Sequence, residues 1–490
     1  MRNARKWLRE DIGQEFAGAE LGDRRRSARL RAVARAAVRS PDSGFPQMVE
    51  SDGELEGIYR LFGNDGVEAE AVLAPHIAAT FRRAGEVPLC LVVHDTTEFK
   101  FSGQAERHGL GMLTSNGQGF FGHFALAVVP GAARIPLGVC GLERFTRQIR
   151  KSTVRKPHSY YTSQDPSRES LRWHRLLQTV EDQRKGFECI HVMDREADMF
   201  DLMSLALDLD ARFIIRGDKE RALANEAGLV EDILSRIHPQ TTREAQLSRK
   251  VVTRRQQTIQ PRADKKRKPY APRPKQRFFT REQRDAVLSI GATTVEFRRP
   301  QTAQSARKSI EINIVYAWEA SPPPGEEPVD WVLFTTESID TVAALHTVIE
   351  HYQSRWIIEE YFKALKTGCA FEKRQLESYH SLSNGLAVFA VVAWRLLLLR
   401  AVSRSSPDAT PTSVLSVTQL QLLQHRLKLR KPLETAQQAL FAVARLGGHL
   451  KSNGDPGWLS LGRGFEKLLL LQSGWTAAVD HLLGEDVIDD

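Results

Sequence analysis

Cysteine is scarce in this chain, and its few cysteines lie far apart. The 490 residues include only Cys90, Cys140, Cys189 and Cys369, and no two of them form a C-x-x-C pair. A zinc site built from cysteine pairs or a framework of disulfides is therefore not expected. Free, scattered thiols suit a reducing cytoplasm, which is the predicted location.

The sequence also lacks an apolar leader and any long apolar run free of charge. The first ten residues are mostly polar or charged, unlike a secretory signal peptide. The longest apolar run, from Leu386 to Val402, contains Arg395 and Arg400. It therefore predicts a buried core helix and no contact with a membrane.

Acidic charge falls short of basic charge. The chain has 69 Lys and Arg against 60 Asp and Glu, a formal net charge of +9. This surplus favours a polyanionic partner such as nucleic acid, although it does not establish one. Hydrophobic residues make up 41% of the chain, as in folded globular proteins, and its length suits several domains.

Hydrophobic periodicity divides the chain into segments of different character. Apolar residues at helical spacing precede a region where hairpins give way to alternating strands and helices, which predicts an α/β fold with a mixed sheet flanked by helices. A β-rich insertion with a basic loop at 249–277 follows. The predicted segments are a helical domain at 1–75, the first part of the core at 76–217, the insertion at 218–335, a core helix at 336–372 and a helical region at 373–490.

Two predicted buried strands end in aspartate. The strand PLCLVVHD ends at Asp95, and CIHVMD ends at Asp194, with a helix expected from about Glu196. Carboxylates at the strand ends of an α/β sheet lie where ligands and metal ions bind. The alternative for such an aspartate, above all Asp194, is a helix N-cap.

A third carboxylate, Glu359, lies in a predicted long helix spanning about 340–367. Polar residues occur four and seven positions before and after it, so at 3.6 residues per turn they share its face. Glu360 points about 100° away, and the spacing therefore selects Glu359. The alternative is a solvated ladder of ion pairs. The other residues of this row are Tyr352, Arg355, Lys363 and Lys366.

Phosphodiester cleavage would explain these residue types. It requires an activated hydroxyl and a stabilised leaving oxyanion, which two divalent ions held by oxygen ligands can provide. We therefore expect Asp95, Asp194 and Glu359 to be catalytic and to hold two Mg²⁺ (or Mn²⁺) ions. The remaining residues of the row are expected to contact DNA phosphates.

The helix row resembles the Y-x2-R-x3-E-x6-K pattern of bacterial insertion-sequence transposases of family four, a family of DDE cut-and-paste enzymes that includes the Tn-five group. HDTT at 94–97 and DREAD at 194–198 resemble the blocks that carry the family's two aspartates. IIRG and WVLFTTE resemble blocks beside the site, which implies DNA contacts for Arg216 and Trp331. Trp331 would stack on a flipped base, and its alternative is a buried tryptophan that opens a strand.

The two ends of the chain show looser resemblance to the same family. LGDRRRSARL at 21–30 is similar to its DNA-end-binding segment. ARLGGHL and the GW near 458 are similar to its C-terminal dimerisation region. The DNA contacts implied in the first segment and just after it are Arg24, Arg25, Arg29 and Arg31.

The resemblance implies an RNase H-like core interrupted by the insertion, an all-α DNA-end-binding domain and an α-helical dimerisation region. It also implies cut-and-paste transposition through a DNA hairpin by a homodimer. The partners would be double-stranded transposon terminal inverted repeats and target DNA, with no small-molecule substrate. Two alternatives stay open: an inactive or domesticated end-binding protein, and an RNase H-like nuclease without strand transfer.

Overall fold

The computed structural model describes residues 2–483, apart from 102, 104–105, 116, 148–167, 226–227, 248–249, 256–275, 282, 325, 327, 406 and 451–455. Its described residues form two compact units. The first unit comprises Met1–Ile215, Arg299–Lys308 and Glu350–Asp490, and the second comprises Arg216–Arg298 and Ser309–Ile349. Most of the basic loop expected at 249–277 lies outside the described residues.

Helices make up the start of the first unit. They are α1 (Arg2–Arg9), α2 (Arg24–Arg39), α3 (Phe45–Met48), α4 (Asp52–Phe62) and α5 (Ala69–Ala84). Asp23 caps α2, because its side chain accepts a hydrogen bond from the backbone N–H of Arg25. The apolar face predicted for α2 is buried, including Leu30, Val33 and Ala37.

A mixed sheet forms the centre of the first unit. Its strands are β1 (Cys90–Lys100), β2 (Gly111–Met112), β3 (Gln118–Val128), β4 (Pro136–Phe145), β5 (Cys189–Met193) and β6 (Arg212–Arg216). The order is β4-β3-β1-β5-β6, with β2 also paired to β3. The first three strands of this order pair antiparallel, whereas β5 runs parallel to β1 and to β6. Helices α6 (Leu171–Gln183) and α7 (Phe200–Asp208) come before and after β5 in the chain.

The prediction that a strand ends at Asp95 is wrong, because β1 continues to Lys100. Its parallel pairing with β5 is last seen at Val93 opposite Val192, but its antiparallel pairing with β3 continues to Lys100 opposite Gly119. The predicted start of the next helix, at about Glu196, is also wrong. A 3-10 turn at Arg195–Ala197 comes first, and α7 begins only at Phe200.

Antiparallel strands dominate the second unit. They are β7 (Thr241–Leu247), β8 (Lys250–Arg255), β9 (Gln276–Arg281), β10 (Arg284–Arg298), β11 (Ser309–Glu319) and β12 (Asp330–Thr335), with a short helix α8 (Val230–Leu234). β10 pairs with both β7 and β11, and β11 pairs with β12. β8 and β9 form a separate two-stranded ribbon.

The single long helix expected over 340–367 is interrupted. α9 (Val342–Gln353) ends before Ser354, α10 (Trp356–Lys363) follows, and a π-helical turn occupies Ala364–Gly368. At the junction the Ser354 hydroxyl donates to the carbonyl of Glu350. The backbone there also makes i to i+3 bonds, such as Arg355 N–H to the carbonyl of Tyr352, which tighten the turn.

The C-terminal part of the first unit is helical, with α11 (Tyr379–Ser405), α12 (Val417–Arg426), α13 (Ala436–Leu446) and α14 (Trp458–Leu483). Among the described helices, α11 alone is long and apolar enough to cross a membrane, but 78% of its most apolar window is buried inside the protein. It serves as a core helix, as its arginines suggest. The hydroxyl of Tyr361 donates to the Ala390 carbonyl over 3.1 Å, which ties α10 to α11.

Candidate active site

The strand register brings Asp95 and Asp194 side by side. In the parallel pair, Val93 lies opposite Val192, and each aspartate follows two residues later. Neighbouring strands are about 4.8 Å apart, and residues two positions apart point to the same face. Both carboxylates therefore emerge on one face of the sheet, just past the point where the parallel pairing of β1 with β5 ends.

A backbone amide orients each aspartate. Thr96 N–H donates to Asp95 Oδ1 over 2.7 Å, and Glu196 N–H donates to Asp194 Oδ1 over 2.9 Å. The N-cap alternative for Asp194 is thus realised at the 3-10 turn. It is compatible with metal binding, because a carboxylate has a second oxygen and further lone pairs.

Arg355 connects two members of the predicted triad. Its Nη1 donates to Asp95 Oδ2 over 2.9 Å, and its Nη2 donates to Glu359 Oε1 over 3.1 Å. The side chain is only 11% exposed. Arg355 was expected to contact phosphate, whereas in this structure its guanidinium bridges carboxylates. Of the two contacts, only the one to Glu359, four residues away, could be anticipated from spacing.

The electrostatics show that the three carboxylates share one neighbourhood. Burial raises the pKa of Asp95 from its ordinary 3.8 to about 6. The charge of Arg355 opposes this rise, while the charges of Asp194 and Glu359 add to it. Among the described residues, Arg355 is the cation that bridges Asp95 and Glu359 by hydrogen bonds, and Asp194 follows the neighbouring strand β5.

The rest of the predicted helix row does not form one continuous exposed face. Tyr352 lies in α9 and is only 4% exposed. Lys363, in α10, is exposed. Lys366 lies in the π-helical turn and is half-buried, with Nζ 4.0 Å from Glu372 Oε1 and 5.6 Å from the centre of the Phe99 ring. The break and the π turn change the angular spacing on which the single-face prediction relied.

Trp356 is not among the residues that helical spacing placed beside Glu359. It is 48% exposed at the start of α10, and the Arg355 guanidinium lies 5.6 Å from the centre of its ring. The sequence shows it only as an aromatic residue next to Arg355, with nothing to indicate exposure.

Arg216 and Trp331 belong to the second unit. Arg216 donates to the carbonyl of Asp330 over 3.3 Å. Trp331 is half-buried in β12, where it packs against the small apolar cluster that includes Leu247 and Leu288. The local packing of Trp331 fits its alternative, a buried tryptophan at the start of a strand, and its role toward DNA stays a prediction.

The basic residues expected to bind DNA ends lie on or near the N-terminus of α2. Arg24 and Arg25 are exposed, and Arg31 is half-buried. The Arg29 guanidinium lies against Gly57 of α4. The first turn of α2 has no acidic residue. Since cations at a helix N-terminus oppose the helix dipole, these arginines do not stabilise their own helix and suit an anionic partner.

A second group of side chains that could bind a metal ion lies on α6 and β5. The ligand atoms of Glu181, Cys189 and His191 lie within 4.8 Å of one another. Glu181 accepts hydrogen bonds from His191 over 2.9 Å and from Arg184 over 2.7 Å. Burial would raise the pKa of Glu181, but these two partners lower it to about 2. The His191 ring also bonds to the buried His94 over 2.8 Å. We regard this cluster as a satisfied hydrogen-bond network, since Glu181 is already neutralised by Arg184.

Comparison with known families agrees with this geometry. Residues 5–67 match a family model described as transposase DNA-binding, and residues 155–394 match one described as transposase DDE domain. The second match includes Asp194 and Glu359, whereas Asp95 precedes it. The DDE match implies an RNase H-like core, with which the mixed sheet and flanking helices agree. The two matches support a transposase that binds DNA through its N-terminal segment and processes DNA with a DDE-type domain.

Proposed function

We propose that this protein catalyses cut-and-paste transposition of the element that encodes it. It would bind the terminal inverted repeats, cleave phosphodiester bonds with divalent metal ions and join the 3′ ends to target DNA. The observation that carries the proposal is that Asp95 and Glu359 share the Arg355 guanidinium, with Asp194 on the neighbouring strand end, in a chain whose residues 155–394 match a transposase DDE domain.

The donor set fits Mg²⁺ or Mn²⁺. All three candidate ligands offer carboxylate oxygens, which these hard cations prefer. Burial, with a smaller contribution from Asp194 and Glu359, raises the pKa of Asp95, so a bound cation would favour its ionised form. The cluster of Glu181, Cys189 and His191 offers softer donors that are already engaged, so we assign the ions to the carboxylates. When bound, two such ions would activate the attacking hydroxyl and stabilise the leaving oxygen.

The nearby cations would hold DNA. If divalent ions held the carboxylates, the planar fork of Arg355 would be free to donate to a phosphate instead of to Asp95 and Glu359. Lys363 lies one turn beyond Glu359 and is exposed, so its side chain can reach a DNA phosphate without rearrangement. Lys366 would first have to break its ion pair with Glu372, whose Oε1 lies 4.0 Å from Lys366 Nζ, before it could contact DNA.

Further parts of the proposal rest on the resemblance to the Tn-five group. They are a homodimer in which each site cuts the DNA end held mainly by the other subunit, a hairpin intermediate, and stacking of Trp331 on a flipped base. The exposed arginines at the start of α2, within the segment that matches the transposase DNA-binding family, would contact the ends.

The decisive experiment incubates the full-length protein with DNA carrying its own element's ends, a target plasmid and Mg²⁺. The wild type is expected to release the element, form hairpin ends and join them to the target. Asp95→Ala, Asp194→Ala and Glu359→Ala should each abolish cleavage, because the loss of one ligand leaves too few anionic oxygens, yet each should still shift end DNA in a gel.

The other outcomes separate the alternatives. Binding without cleavage by the wild type would indicate an end-binding copy that no longer cuts. Cleavage without joining would indicate a nuclease. Retained cleavage in any of the three alanine variants would reject the assignment of that carboxylate.

A further inference from the structure

One buried arginine reaches the neighbours of both aspartates. Arg172, in α6, is only 8% exposed. Its Nε donates to the hydroxyl of Thr96 over 3.0 Å, and its Nη2 donates to the carboxylate of Glu196. Its Nη1 donates to the Glu169 carbonyl over 2.8 Å, which fixes the guanidinium to the start of its own helix.

The two residues that Arg172 holds are the ones whose backbone orients the aspartates. Thr96 N–H donates to Asp95 Oδ1 over 2.7 Å, and Glu196 N–H donates to Asp194 Oδ1 over 2.9 Å. The same guanidinium therefore acts, through one residue on each side, on two carboxylates that are 99 positions apart in the sequence. The aspartates themselves accept no hydrogen bond from Arg172 among those the structure shows.

Neighbouring side chains hold the Arg172 guanidinium and the Thr96 hydroxyl in place. The Arg172 guanidinium lies 5.6 Å from the centre of the Trp173 ring and 5.7 Å from that of Phe145. The hydroxyl of Thr96 also bonds to His123 Nδ1 over 2.9 Å. The planar guanidinium is thus held by three hydrogen bonds and lies near two aromatic rings, whereas the Glu196 side chain that it contacts is 62% exposed.

We propose that Arg172 is a positioning residue that sets the distance and orientation between the Asp95 and Asp194 carboxylates, so that together they take divalent ions. The proposal rests on the metal site assigned above. It extends that site to a residue that touches neither metal nor DNA. Residues that orient metal ligands in this indirect way commonly change metal affinity by roughly 10–100-fold when they are replaced.

The sign of the effect separates positioning from simple electrostatics. A positive charge close to a cation site repels the cation, so loss of Arg172 should strengthen metal binding if only its charge matters. If Arg172 positions the aspartates, the same loss should weaken metal binding. The two accounts therefore predict opposite changes in one measured quantity.

The test measures Mn²⁺ binding to the full-length protein without DNA, by calorimetry and by electron paramagnetic resonance of the free ion. Arg172→Gln is expected to bind Mn²⁺ at least about tenfold more weakly than the wild type. The matched control is Arg175→Gln, which removes the same charge one turn later on α6, where Arg175 pairs with Glu143 at 2.6 and 2.8 Å. The control should bind Mn²⁺ as the wild type does. Unchanged or tighter binding by Arg172→Gln would overturn the proposal.

A second pair of variants covers the case in which Arg172→Gln does not fold. Thr96→Val removes the hydroxyl that accepts from Arg172 while keeping the side-chain shape, and Thr96→Ser keeps the hydroxyl. We expect weaker Mn²⁺ binding for the valine variant and near wild-type binding for the serine variant, and equal binding in both would reject the link. If the wild type itself shows no Mn²⁺ binding that Glu359→Ala removes, the metal site fails rather than the role of Arg172.

Discussion

At the scale of single residues, the ionised form of Asp95 is held in surroundings that cost the folded protein stability. Its side chain is 17% exposed, and its pKa is raised to about 6 from 3.8 because burial and the neighbouring acids outweigh the help of Arg355. A raised carboxyl pKa means that the folded protein prefers the neutral form. Its ionised form therefore destabilises the metal-free protein above pH 6, and this penalty disappears below pH 3.8.

Replacing Asp95 with asparagine should remove that penalty. We expect Asp95→Asn to unfold at a higher denaturant concentration than the wild type at pH 8 in the presence of a chelator, by on the order of 3 kcal/mol at most. The difference should shrink as the pH falls through 6 toward 4, where the wild-type carboxyl also becomes neutral. Asp182→Asn, at an exposed carboxyl on α6, serves as the control and should change little. A stabilisation that is the same at pH 8 and pH 4 would contradict the electrostatic explanation.

At the scale of elements, the sequence predicted the strands better than the helix that carries Glu359. The apolar runs before Asp95 and Asp194 located β1 and β5, because a strand buried on both faces is read directly from such a run. The sequence could not show where β1 ends, since the partner that prolongs it, β3, is chosen by tertiary pairing.

The helix that carries Glu359 shows a second limit of sequence reasoning. Helical periodicity assumes 3.6 residues per turn throughout, but the hydroxyl of Ser354 bonds back to the Glu350 carbonyl and the helix changes pitch there. The π-helical turn at Ala364–Gly368 adds a further change. Spacing selected Glu359 as a metal ligand, which stays a prediction, and it gave no hint that Arg355 would bridge Glu359 and Asp95.

The two lysines after Glu359 should differ in their effect on DNA binding because their surroundings differ. The salt dependence is the slope of the logarithm of the end-binding constant against the logarithm of the salt concentration. Lys363→Ala is expected to reduce the size of this slope by about one, as for one lost phosphate contact. Lys366→Ala should reduce it less, since Lys366 is half-buried and close to Glu372. The measurement is the binding constant at several salt concentrations.

The control for these lysines is Lys185→Ala, which removes an exposed lysine from the loop ahead of β5, at the opposite end of that strand from Asp194. Its slope should equal that of the wild type. Equal slopes for Lys363→Ala and the wild type would exclude Lys363 from the DNA path.

At the scale of the whole molecule, buried charges attach the N-terminal helices to the rest of the first unit. Glu15 pairs with His76 over 2.6 Å and with Arg83, both in α5, and Arg83 also donates to the Leu137 carbonyl of β4 over 2.9 Å. Arg374 donates to the carbonyls of Pro41 and Ser43, just after α2. Such contacts suit a DNA-binding segment held firmly against the catalytic core, since a buried charge that loses its partner is costly.

Arg395, in α11, offers the clearest test of this attachment. It donates to the carbonyls of Trp7, Leu8 and Glu10, at and just beyond the end of α1. Arg395→Met should leave these carbonyls without their donor, lower the free energy of unfolding by about 1–3 kcal/mol and expose the N-terminal helices to protease. Because the hydrogen bonds of Arg395 go to the end of α1 rather than to the proposed metal ligands, Mn²⁺ affinity should stay at the wild-type value while end binding weakens. The matched control for stability and proteolysis is Arg404→Met. Arg404 lies on α11, as Arg395 does, and pairs with Glu360 of α10 at 3.7 Å. If Arg395→Met keeps the wild-type cleavage pattern under limited proteolysis, the N-terminal helices do not depend on this contact for their attachment.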